Sequence, residues 1–114
     1  MLYYDNGHRW LQDMNSAFYR YQINDYISGH VSRPQKPENE SDQARMLQYE
    51  SDLKYFKDKD GLAKSIIYDT LSQDYRSTFE WKKSAKENMD QIKLKVIDYS
   101  RVAIRNMKRT LEKL

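Results

Sequence analysis

The chain has no cysteine, which removes disulfide staples, thiolate nucleophiles and cysteine-ligated zinc. Glycine and proline are scarce, at three and two among 114 residues. A glycine-rich phosphate loop is therefore excluded. No apolar run approaches the ~18 residues that suggest a membrane span. The start, Met1-Leu2-Tyr3-Tyr4-Asp5-Asn6, lacks the basic and apolar blocks of a signal peptide. The expectation is a soluble, cytoplasmic protein that does not engage a membrane.

Hydrophobic residues make up 39% of the chain and charged residues 32%, so any core is thin for a chain of this length. Ten Tyr, three Phe and two Trp argue against disorder, because disordered chains are poor in aromatics. A thin core also favours self-association, and a homo-oligomer is expected.

The few glycines and prolines divide the chain. Leu11, Met14, Phe18 and Tyr21 follow a 3-4-3 spacing and predict a helix over about residues 6–28, capped by Asp5 or Asn6 and stopped at Gly29. Residues 29–38, with Pro34 and Pro37, read as an extended linker. Met46, Tyr49, Leu53 and Phe56 predict a second helix over about 39–59, ending where Asp60-Gly61 supplies a stop.

Residues 62–114 contain neither glycine nor proline. Leu71, Tyr75 and Phe79 form one apolar row. Ala85, Met89, Ile92, Val96, Tyr99 and Ala103 form another, continuing through Met107 to Leu111 and Leu114. One unbroken helix would be about 80 Å long. Ser84 with Glu87 makes a capping box, so the helix either breaks near 83–84 or continues as a rod. The fold class is all-α: a single domain of three to four helices, as a helical bundle or an elongated helical hairpin with a long C-terminal helix.

Catalytic signatures are missing. His8 and His30 have no metal-ligand partner at helical spacing. Aligning Gly61 with the glycine of a calcium loop puts Phe56 and Ile67 where acids are required. The paired carboxylates sit in turns beside lysines, without the burial that separates pKa values for acid–base work. No enzyme activity, cofactor or metal is expected.

Binding surfaces remain. Residues 80–114 carry ten Lys/Arg against five acids, whereas residues 1–60 carry eight against ten. Arg101, Arg105 and Lys108 share one helix face, a basic patch suited to nucleic acid. Ser100 to Leu111 resembles the last helix of sigma-factor-like helix-turn-helix regulators. The stretch between Ala85 and Ser100 is too long for that motif and lacks a turn glycine, so the resemblance is carried no further.

Tyrosine is the second feature, since ten cannot all face inward. Trp10, Tyr19 and Tyr26 on the first helix and Trp81 later are the candidate contacts with another protein. The expectation is a non-catalytic adaptor, inhibitor or assembly component that grips a protein through tyrosine-rich helix faces. Small motif-free helical chains of this kind are often phage or mobile-element accessory proteins. The alternative is a nucleic-acid-binding protein that uses the basic C-terminal helix.

Overall fold

The computed structural model describes residues 1–3 and 5–113, apart from the side chains of Ser100 and Ala103. Tyr4, Leu114 and the Ala103 position of the second apolar row lie outside the described residues. The chain is all-α, with helices α1 (Gly7–Arg20), α2 (Asn24–Ser28), α3 (Gln43–Asp69), α4 (Gln73–Arg76) and α5 (Ala85–Glu112).

The expected first helix is two. Tyr21 and Gln22 form a turn after α1, with Gln22 at φ 58°, a left-handed conformation that interrupts helical hydrogen bonding. The turn lets Ile23 and Ile27 drop into the core beside Trp10, Met14 and Phe18 and leaves Tyr21 exposed. Gly29 ends α2 at φ 87°, as its lack of a Cβ allows. Asn6 precedes α1, but its side chain turns back to bind Tyr3 N–H and the Met1 carbonyl. Leu2 pairs with Leu71 in an isolated parallel bridge, which fastens the N-terminus to the far end of α3.

α3 does not stop at Asp60-Gly61. It runs on to Asp69, and Gly61 sits inside it with open space where a Cβ would be. A lone glycine costs a helix only about 1 kcal/mol, which the burial of Ala63 and Ile67 just beyond it offsets. At its start, Asp42 accepts a hydrogen bond from Arg45 N–H at 3.2 Å.

The glycine-free tail is broken, and the break falls where the capping box stands. Ser84 Oγ accepts from Glu87 N–H at 3.1 Å and opens α5. Between α3 and α5, residues 70–84 form a crossover around the short α4. Leu71, Tyr75 and Phe79 are buried as expected, although not on one continuous helix.

A second acceptor closes α5. Asp60, itself buried, accepts from Ala85 N–H at 2.8 Å through Oδ1 and pairs with Lys64 Nζ at 3.1 Å through Oδ2. Lys64 also donates to the Trp81 carbonyl at 2.9 Å. Asn88, buried one turn into α5, donates to the carbonyls of Glu80 and Ser84 and accepts from Glu80 N–H. The end of the crossover at Glu80–Ser84 is thus held by polar groups that satisfy one another.

These contacts fix direction and stagger. Asp60 lies at the start of α5, and the Tyr75 ring just past α3 meets Tyr99 further along α5 at 5.6 Å. α3 and α5 therefore run the same way, offset lengthwise. α1 runs against α5, with Gly7 so near Val96 that a Cβ would collide with it. The offset leaves an overhang at each end, and the molecule measures 74 × 27 × 23 Å. The core, from Trp10 and Phe18 to Met89, Ile92 and Val96, fills only the overlap. Breaking near Ser84 and elongation, two outcomes the sequence opposed to each other, occur together.

Replacing Asp60 with Ala strands a helix N–H and the Lys64 ammonium, and is expected to cost about 2–3 kcal/mol in urea denaturation. Gly61→Ala, one residue away, should instead stabilise by about 0.5–1 kcal/mol. If both destabilise alike, Asp60 is not the clamp.

Tyr75 gives a second check. Its ring is buried and its hydroxyl finds no hydrogen-bond partner among the described residues. Burial, helped by Tyr99 and Asp74, pushes the phenol from 10.0 up to about 12. The fold therefore favours the neutral phenol. That contribution is complete below pH 10, where the unfolded phenol begins to ionise, and drains away as pH rises towards about 12. Tyr75→Phe should flatten this alkaline loss and leave neutral-pH stability unchanged or higher by up to about 1 kcal/mol, read by denaturation at stepped pH.

Candidate functional site

Two surfaces collect side chains that could engage a partner. The first is the overhang of α5. Val96 is the last core residue of that helix among the described ones, and beyond it every described side chain except the half-buried Tyr99 is exposed. Ile97, Ile104 and Leu111 recur every seven residues, with Met107 between the last two. Their exposures are 43%, 64%, 66% and 66%. Apolar side chains at 7-residue intervals, with one at i+3, make a narrow stripe along a helix.

The same overhang carries the basic patch. Arg101 and Lys108 border the apolar stripe, each four residues after one of its isoleucines, while Arg105 and Arg109 lie further round the helix. All four are exposed. Elsewhere the lysines are often matched: Lys64 pairs with Asp60, Lys83 with Glu80 and Lys86 with Asp90. Lys95 donates to the Asp74 carbonyl and Thr78 Oγ1. Among the described residues none of Arg101, Arg105, Lys108 and Arg109 forms an ion pair. On the overhang four cations stand within nine residues of one helix beside the apolar stripe.

The second surface is a cleft of about 480 Å³ at the other end of α5, between Tyr26, Phe56, Arg33 and the lysines 64, 82, 83 and 86. Tyr26 and Phe56 meet there with ring centroids 5.6 Å apart, and burial raises the Tyr26 phenol above its ordinary value. Three of its cations are already paired as above, and Asp60 occupies the first N–H of the helix. Little of its charge is free for a ligand.

The four aromatic contact candidates are dispersed. Trp10 is a correction: it is buried at 4% exposure, and its indole N–H donates to Thr70 Oγ1 at 2.9 Å. It belongs to the core row Trp10, Met14, Phe18, whose i, i+4, i+8 spacing was present in the sequence. Tyr19 is 70% exposed on α1. Tyr26 is half-buried against Phe56. Trp81 is 51% exposed, with one face on Tyr68 at 5.1 Å and Phe79 at 4.9 Å. No single tyrosine-rich face joins them. Sequence reasoning placed Met107 and Leu111 on the core row and missed Ile97 and Ile104, because that row was drawn through Tyr99 and Ala103. Spacing by sevens was the available signal.

Among the described residues no group of three or more His, Asp or Glu side chains could hold a metal ion, and no helix is long and apolar enough to cross a membrane. No family model matches the chain, and no curated protein or solved structure matches it either.

The two tryptophans report on this assignment. With Trp81→Phe, the remaining emission from Trp10 should be blue-shifted and shielded from acrylamide. With Trp10→Phe, emission should be red-shifted and readily quenched. The reverse pattern would return Trp10 to the surface.

Proposed function

We propose that this chain is a non-catalytic cytoplasmic binding factor, acting stoichiometrically as an adaptor, inhibitor or assembly component, whose contact surface for another protein is the overhang of α5. The supporting observation is the stripe of Ile97, Ile104, Met107 and Leu111, exposed along a helix that has left its core behind. Large apolar side chains aligned on a projecting helix match the anchor pattern of helix-in-groove and helix-on-helix recognition. Isolated surface apolars need no explanation, whereas a contiguous row does. The exposed Tyr19 and Trp81 lie off this stripe and serve as secondary contacts.

A second reading has its own support. Four cations on one projecting helix, none ion-paired among the described residues, are suited to a phosphate backbone, and a helix fits the major groove of duplex DNA. On that reading affinity for DNA falls steeply with salt.

Affinity purification of the chain beside its Ile104→Asp, Leu111→Asp variant separates the two. On the protein-binding reading the wild-type chain retains a protein partner in stoichiometric amount, and the variant loses it. Salt-dependent duplex binding that survives this variant but vanishes with Arg101→Glu, Arg105→Glu would favour nucleic acid. Identical recovery from both chains, without DNA binding, would remove the overhang from either role.

A further inference from the structure

We infer that the partner of the α5 overhang is an acidic amphipathic helix of another protein, laid along the stripe with carboxylates beside Arg101 and Lys108. The inference rests on the protein-binding reading above and adds the chemistry of the occupant.

The overhang has two properties that a single occupant must meet. Its apolar stripe is narrow, one residue wide at Ile97, Ile104 and Leu111 with Met107 at its edge. That is the width of a seam between two helices, as a and d positions make it. Its flank is cationic: Arg101 and Lys108 follow Ile97 and Ile104 by four residues, the e position when the isoleucines are a. Residues at that position lie across from the flank of a partner helix and set which partner is accepted.

Duplex nucleic acid would use the cations but leave the apolar stripe in water. A second copy of the chain would cover the stripe, but the flank offers it nothing. In an antiparallel pair Arg101 and Lys108 would face their own counterparts. In a parallel pair the facing positions, Val96, Ala103 and Thr110, include no acid. An anionic bilayer could take both features, but interfacial helices bury a broad apolar face, commonly with aromatic anchors. This stripe is narrow and purely aliphatic and thioether. A helix with apolar residues at a and d and acids on its flanks buries the stripe and neutralises the bordering cations together, and charge complementarity also steers its approach.

The opposite flank is consistent with this orientation. Ala103 and Thr110, at the g positions, carry no charge, so the cationic border is one-sided and should favour one helix direction over the other. The overhang spans about 25 Å of helix at ~1.5 Å per residue, enough for a partner of some two and a half heptads.

A synthetic three-heptad peptide with Ile at a, Leu at d and Glu at e and g, whose own charges oppose self-pairing, serves as the probe. Its counterpart carries Lys at every Glu. Titrated into the full chain and followed by anisotropy, the Glu peptide should bind and the Lys peptide should not. Affinity should fall at high salt and drop at least about tenfold with Ile104→Asp or Leu111→Asp. Arg101→Glu with Lys108→Glu should reverse the preference, so that the Lys peptide becomes the better ligand. All four positions are exposed, and an unchanged circular dichroism spectrum confirms that the variants fold.

Equal binding of both peptides, or none of either, overturns the inference. So does displacement of the Glu peptide by duplex DNA or phosphatidylserine vesicles, or a sedimentation mass of two chains that Leu111→Asp halves. If the Glu peptide fails while a protein partner still depends on Ile104 and Leu111, only the acidic character falls and the protein-binding reading stands.

Discussion

The carboxylate of Asp60 is the contact on which the shape of the molecule depends. It lies in the middle of α3, yet it accepts the first N–H of α5, 25 residues later in sequence. Helix starts leave N–H groups without intrahelical partners, and their partial positive charge favours an anion. By meeting that need from inside another helix, Asp60 pins the start of α5 at one point along α3. Lys64 balances the charge and reaches on to the Trp81 carbonyl, so the same pair also locks the end of the crossover. A clamp at the start of α3 would have aligned the two long helices. Placed at Asp60, it offsets them.

The offset explains how few residues are fully buried. α1 and α2 pack on one side of the overlap and the crossover on another, and the apolar rows of both long helices are core only where they coincide. Met46, Tyr49, Leu53 and Phe56, before the overlap, are half-buried. The linker helps to cover them, as where Val31, Ser32 and Pro34 line a shallow cleft with Tyr55 and Phe56. Beyond the overlap nothing equivalent among the described residues covers Ile104, Met107 and Leu111. One side of the asymmetry has its own strap, and the other is bare.

Features set by neighbouring residues were legible in the sequence. The Ser84 box and the Gly29 stop each rest on chemistry within a few positions, and each appears where the pattern placed it, as does the row Ala85, Met89, Ile92, Val96 in the core. Features set by distant residues were not. Asp60-Gly61 reads locally as a stop and a new cap. Asp60 is indeed a cap, but for a helix that begins at Ala85, and no local rule identifies so remote a recipient. The break at Tyr21-Gln22 carries no glycine or proline, and it is imposed by Ile23 and Ile27 reaching the core. Trp10 was assigned outward because the row was counted from Leu11, when the row Trp10, Met14, Phe18 fits the same residues. For the candidate site, the cations were plain from charge alone, whereas the bareness of the stripe beside them depends on where the core ends.

That end has an energetic consequence. Past Tyr99 every described side chain of α5 is exposed, so the helicity of this end rests largely on its own hydrogen bonds, and helical turns without tertiary packing are marginal in water. Ordering and docking are then linked equilibria. Whatever lies along this stretch also selects its helical state, and the apparent affinity scales with the fraction of chains already coiled. Single changes that touch no ligand, such as Ala at the solvent-facing Asn106, would tighten association simply by raising that fraction.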